Sequence, residues 1–159
     1  MMQQAHVLAD LVVQVTDMQV RLARLADAKS LQALSGLLGY PYPLEKLTVN
    51  LKTSLADPKQ LILVVAHDGL VLGYCHAEYY EPLYADKLLN VLGLVVDTSH
   101  QGQGIGSALL DAIASYALEQ GILAIRLNSG EDRGAAHCFY EKNGYISNKQ
   151  QKNFIKRLG

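Results

Sequence analysis

The sequence is poor in several things. It carries two cysteines, Cys75 and Cys138, in 159 residues. Two cysteines cannot build the disulfide framework of a small secreted domain, and free thiols fit a reducing cytoplasm. Net charge is almost absent, since 14 Lys+Arg against 15 Asp+Glu leave -1. Nucleic acids and anionic membranes are held mainly by basic clusters, so neither is an expected partner. No apolar run approaches the roughly 20 residues that a spanning helix needs. The stretch Ala5 to Val15 is too short, and the first basic residue is Arg21, so a secretory signal with a basic start is not expected. Linkers, repeats and low-complexity tracts are missing. What remains is a cytoplasmic globular chain.

Half of the residues are apolar and 18% are charged, which excludes a disordered or coiled-coil chain. The length suits one compact domain with one real core. That domain is expected over residues 18–159. Residues 1–17 read as an N-terminal extension, an extra helical turn or strand that packs on the domain or on a neighbouring subunit.

Met18 to Leu25 alternates well enough to be a first strand. Asp27 can cap a helix with an apolar stripe of Leu31, Leu34 and Leu38. Gly39 and the Tyr40-Pro41-Tyr42-Pro43 run end it. A second helix follows, with Leu44, Leu47, Leu51 and Leu55 on one face and Pro58 at its close. Leu61 to Ala66 is an apolar run of strand length, Asp68-Gly69 is a hairpin signal, and Leu70 to Tyr80 is the returning strand. Val91 to Val96 is a further strand. Ile105, Ala108, Leu109, Ala112, Ile113 and Tyr116 make a helical stripe that stops at Gly121. Ile122 to Leu127 predicts another strand, and Ala135 to Lys142 a short helix ended by Asn143-Gly144. Tyr145 to Leu158 could add two short strands. Hairpins mixed with strand–helix–strand crossovers predict an α+β fold with a mixed sheet.

The most informative segment is the turn between Val96 and the third helix. It reads Gln101-Gly102-Gln103-Gly104-Ile105-Gly106-Ser107. Glycines let a backbone approach a ligand closely, and the first turn of a helix offers free N–H groups and partial positive charge. Together they suit a phosphate or pyrophosphate without any lysine. A dinucleotide fingerprint fits poorly, because Ser107 stands at its third glycine and Asn128, not an acid, ends the next strand. The spacing also excludes a P-loop.

This turn resembles that of the GNAT superfamily of acyl-CoA-dependent N-acetyltransferases, which reads Q/R-x-x-G-x-G/A. The later run Ala135-Ala136-His137-Cys138-Phe139-Tyr140-Glu141-Lys142-Asn143-Gly144-Tyr145 is similar to the family's "AxxFYEKxGF" segment. Leu38 to Pro41 and the strand Leu92 to Asp97 are similar too, so the likeness covers roughly Met18 to Leu158. It implies a central, splayed, mixed sheet of about six or seven strands with about four helices.

The resemblance also implies roles. Acetyl-CoA would be the cosubstrate, with no metal. The backbone of Leu94, Val95 and Val96 would bond the pantetheine arm. Gln101, Gly102, Gln103, Gly104, Ile105, Gly106 and Ser107 would hold the pyrophosphate. Asn128 would bond pantetheine or substrate, or is simply a polar strand end. Arg133, where many members carry asparagine, would reach a CoA phosphate or is a surface charge. Tyr140 matches the tyrosine beside the CoA sulfur and would also act as general acid to the departing thiolate. His137 is given no role.

The base is less plain. An ammonium with a pKa of about 10.4 must lose a proton before it attacks. Many members place a glutamate on the strand before the turn, where this chain has Leu92 and Gly93. Alternation along Leu70 to Tyr80 puts Tyr74, His76, Glu78 and Tyr80 on one face. Glu78 is the first candidate and His76 the second; a solvated charge and a satisfied half-buried histidine are the plainer alternatives. Carboxylates and tyrosines in the segments bordering the family's acceptor cleft suit a cationic amine, which suggests a small-molecule acceptor of polyamine or aminoglycoside type. No metal-ligand spacing and no G-x-S-x-G occurs, so direct attack in a ternary complex is expected rather than an acyl-enzyme. A protein N-terminal or lysine acetyltransferase and a non-catalytic CoA-binding regulator are the alternatives. Dimers are common among proteins that resemble this one, and the apolar tail could serve a homodimer interface.

Overall fold

The computed structural model describes residues 13–15, by backbone alone, and 17–159. The rest of the N-terminal extension lies outside the described residues. The chain divides into two compact units, Met1–Leu127 and Asn128–Gly159.

The first unit is built on a six-stranded sheet in sequence order. Its strands are β1 (Val13–Val15), β2 (Met18–Leu22), β3 (Gln60–His67), β4 (Leu70–Tyr80), β5 (Leu88–Val96) and β6 (Ile125–Leu127). Neighbours from β1 to β5 are antiparallel, and β5 with β6 is parallel. The mixed sheet expected from the chain order is therefore present. The hairpin at Asp68-Gly69 forms as the sequence suggests, with both residues at positive φ (48° and 77°).

Three helices belong to this unit: α1 (Ala28–Leu37), α2 (Leu44–Ala56) and α3 (Ile105–Glu119). One face of the sheet packs on α3. Val20, Leu63, Cys75, Ala77 and Leu89 meet Leu109 and Ile113 there, all buried. A large aliphatic side chain buried this fully contributes roughly 1.5–3 kcal/mol. The other face packs on α1 and α2 through Ala28, Leu31, Leu51, Ile62 and Val64.

The strand expected from Met18 is β2 and stops at Leu22 rather than Leu25, and Leu25–Asp27 is a 3-10 turn. Asp27 causes the break. It stands at the N-cap of α1 but makes no side-chain cap bond. Its carboxylate instead takes two hydrogen bonds from the Arg21 guanidinium (2.8 and 2.9 Å) and one from the Arg24 N–H (2.8 Å). A carboxylate next to a guanidinium gains more from that pair than from a cap.

Two β-bulges reset which residues face α3. One falls opposite Val65/Ala66 in β4, the other opposite His76/Ala77 in β5. Past the second bulge, Leu94 and Val96 continue the face begun by Leu89 and Val91. Leu92 is the extra residue and is exposed.

The second unit carries α4 (Gly134–Lys142), close to the expected helix. Tyr145 to Leu158 forms no strand, contrary to the sequence expectation. A strand needs an edge to pair with, and no other strand lies among the residues of this unit.

Candidate active site

The glycine segment lies where β5 gives way to α3. After Val96, a 3-10 turn at Thr98–His100 is pinned by His100 Nδ1 against the Asp97 carboxylate (2.8 Å). Gly102 and Gly104 both sit at φ +81°, the left-handed region that costs other residues about 1–2 kcal/mol. Gly104 is the N-cap of α3, and no side chain caps it. The Ala108 N–H bonds the Gly104 carbonyl, so the intrahelical ladder begins there. The N–H groups of Ile105, Gly106 and Ser107 precede that ladder and form the positive end of the helix dipole. Ile105 and Gly106 are buried, Ser107 is half-buried, and Gln101 to Gly104 are exposed. Buried apolar anchors behind an exposed loop fix the turn while leaving its outer side open.

The strand leading to this turn changes character along its length. β6 pairs with β5 only at Leu89, Asn90 and Val91. Leu94, Val95 and Val96 pair with β4 alone. Their other backbone edge has no strand partner among the described residues, which is the arrangement an extended ligand can complete.

The two base candidates share the β4 face away from α3 but differ in direction. His76 Nε2 lies 2.8 Å from Gln60 Oε1 on β3. Gln60 donates its Nε2 to Asp57 (3.2 Å), so Oε1 must accept and His76 Nε2 must carry the proton. Burial pushes the His76 pKa below its ordinary value, although Glu78 opposes this. Glu78 reaches the other way, to β5. Its Oε1 accepts from Asn90 Nδ2 (3.2 Å), and Oε2 has no hydrogen-bond partner among the described residues. Asn90 Oδ1 in turn accepts from Arg126 Nη1 on β6 (3.1 Å). Arg126 Cζ lies over the Tyr80 ring, 4.5 Å from its centroid. The sequence reading passed over Asn90 and Arg126. The available signal was a single polar residue in each of two otherwise apolar strands.

The remaining candidates lie in the second unit. Tyr140 is half-buried in α4, edge-on to Phe139 (5.4 Å) and Tyr145 (5.9 Å). Asn128 and Arg133 are exposed, and Arg133 is the N-cap of α4. His137 receives a role the sequence did not supply. Its Nε2 donates to the Gly130 carbonyl (2.8 Å) and closes the loop before the helix. Cys75 is buried and its thiol is pushed up to about 12 by that burial, so it is inert as a nucleophile. Cys138 is exposed. No cluster of three or more His, Cys, Asp or Glu fit for a metal occurs among the described residues. No helix among them is long and apolar enough to cross a membrane.

The fifth strand of the mixed sheet thus loses one partner just before a glycine turn and an uncapped helix, a place suited to an extended, phosphate-bearing ligand. A family model for the acetyltransferase (GNAT) domain matches residues 58–147, and the chain belongs to that family. Among curated relatives, an uncharacterized N-acetyltransferase of Mycobacterium bovis is 28% identical over 94 residues, 59% of this chain and 58% of the relative. The matched region thus spans a little over half the length of that relative. Among solved structures, AAC(6′)-Iy in complex with the bisubstrate analog CoA-S-monomethyl-acetylneamine matches with a TM-score of 0.78 at 14% identity, covering 89% of this chain and 99% of that one. The aminoglycoside 6′-N-acetyltransferase AAC(6′)-Ih of Acinetobacter baumannii matches with a TM-score of 0.78 at 16% identity, covering 89% and 99%. At these identities the structural likeness concerns the fold.

Proposed function

We propose that the chain transfers an acetyl group from acetyl-CoA to a primary amine of a small molecule. The observation that carries this reading is the turn at Gln101 to Ser107. Two left-handed glycines lead into a helix with no side-chain cap, directly after a strand with an open edge. That combination fits a pyrophosphate on the helix N–H groups and an extended pantetheine arm along Leu94 to Val96. Acetyl-CoA, when bound, supplies the activated thioester. Asn128 and Arg133 are the polar groups proposed to bond its pantetheine and phosphate ends.

Tyr140 is the proposed acid, which gives a proton or hydrogen bond to the departing thiolate. A thiol at about 8.5 and a phenol at about 10 are close enough that positioning, not acidity, governs this step. Glu78 is the proposed base. It reaches toward β5 with one carboxylate oxygen unengaged. The amine then attacks the thioester directly. The solved acetyltransferases named for aminoglycosides support a small-molecule acceptor.

Thiol release from acetyl-CoA across a panel of small amines and peptides tests the reading. Release with small amines is expected. Tight CoA binding without release for any amine or peptide would overturn it.

A further inference from the structure

Glu78, Asn90 and Arg126 form a straight row across three strands. Glu78 is paired with Asn90 in the β4–β5 register, and Asn90 with Arg126 in the β5–β6 register. Directly paired residues share a face. All three are half-buried, as is Tyr80 beneath the guanidinium. The row lies on the face opposite α3, since Ala77, Leu89 and Val91 point to that helix. The apolar cluster under α1 and α2 takes residues from β3 and the start of β4 but none from this row.

The row has a definite polarity. A carboxylate only accepts and a guanidinium only donates, so the Asn90 amide can bridge them in one orientation alone. Strands lie about 4.8 Å apart, so the two charges start from backbones about 10 Å apart, and Asn90 keeps them from pairing directly. Arg126 uses one of its five donors on Asn90, and its guanidinium lies over the Tyr80 ring. It makes no ion pair among the described residues. A half-buried guanidinium held over an aromatic ring, with donors unspent, is prepared for a planar anion.

We infer that Arg126 selects the acceptor, and that the acceptor is an amino-carboxylic acid. Its carboxylate lies on the Arg126 fork and its amine faces Glu78. The inference rests on the acetyl-transfer reading and narrows it. It also turns the expected class away from polyamines and aminoglycosides, which carry no anion and would meet a positive charge at Arg126.

The test compares amino acids with the same amino acids as carboxamides, and with polyamines and aminoglycosides, by thiol release from acetyl-CoA. The wild-type chain should prefer carboxylates over carboxamides by about tenfold or more in kcat/KM, through KM. Arg126→Gln should bring that ratio toward one, and Arg126→Lys should keep part of it. A merely structural role for Arg126 would lower both acceptor classes alike. Equal wild-type rates with carboxylate and carboxamide, or release confined to amines lacking a carboxylate, would overturn the inference and leave acetyl transfer standing. Release with no amine at all would overturn both. The wild-type comparison decides even where an Arg126 variant fails to fold.

Discussion

Gly73 in β4 lies directly under Ile105, the first residue of α3. A Cβ on Gly73 would meet Ile105 Cγ2 at 3.1 Å and the Val95 carbonyl oxygen at 2.8 Å. The second distance is to backbone and cannot be relieved by a rotamer change. Gly73 thus sets how closely the helix that opens the glycine turn sits on the sheet. Gly73→Ala should destabilise the chain by roughly 1–3 kcal/mol through overpacking. For a domain of this size each kcal/mol corresponds to about 2–4 °C in Tm. Because the displaced parts are β5 and α3, CoA affinity should fall as well. Calorimetric melting and a CoA titration on the same variant check both.

At Gly104 the constraint is conformational. Nothing lies within 4 Å of a Cβ built there, but φ is +81°. A β-branched residue at that φ must bend the turn, and its side chain would project at the N-terminus of α3. Gly104→Val should weaken CoA binding by about tenfold or more while lowering stability by about 1–2 kcal/mol. An unchanged affinity in a calorimetric titration would sink the pyrophosphate assignment.

Acid should destabilise the chain in two stages. Burial pushes the His76 pKa down. Below about pH 6.5 the unfolded chain binds that proton before the folded one does, so stability falls as pH drops from there. Burial would raise Asp27, but the Arg21 guanidinium and the Arg24 N–H hold it below the usual carboxylate range. Its contribution is complete above about pH 4 and is lost as pH falls through the lowered value. His67 on the surface is shifted upward by the Asp17 carbonyl and cancels when variants are compared with wild type. In urea titrations, His76→Gln should lose less stability than wild type between about pH 7.5 and 5.5, and Asp27→Asn less between about pH 4.5 and 3. Parallel curves for wild type and His76→Gln would show that the histidine is not held neutral by the fold.

Tyr140→Phe removes one hydroxyl and keeps the ring contacts to Phe139 and Tyr145. Turnover should fall by roughly 100-fold, within the range of general acid catalysis, with CoA affinity nearly unchanged. A parallel loss of both would make Tyr140 a binding or packing residue. Stopped turnover assays with a CoA titration separate the two.

Much of this arrangement is legible in the sequence, for local reasons. The Asp68-Gly69 hairpin and the Gly102/Gly104 turn are dictated by backbone chemistry that no tertiary contact must supply. Elements that depend on a neighbour read less well. Asp27 looks like a cap until Arg21 is seen beside it, six residues earlier in sequence but across a strand end. Leu92 looks like a regular strand residue until the bulge opposite His76/Ala77 turns it outward. Asn90 and Arg126 mean little singly, 36 residues apart, and become a pair only through the parallel register of β5 and β6.

The sharpest difference between the two base candidates is in pH dependence. The acceptor ammonium loses its proton unaided only near a pH of about 10.4. A base is therefore most needed near neutrality and least needed in alkali. Glu78→Gln keeps an oxygen that Asn90 can still donate to, so the bridge to Arg126 stays intact. It should lower turnover by about 100-fold at pH 7, and the deficit should shrink as pH rises toward 9 and the free amine accumulates. With Glu78 as the base, His76→Gln should show neither the deficit at pH 7 nor a recovery in alkali. A recovery in the His76 variant, and none in the Glu78 variant, would move the base to His76, acting through Nδ1, the nitrogen that the Nε2–H bond to Gln60 leaves unprotonated.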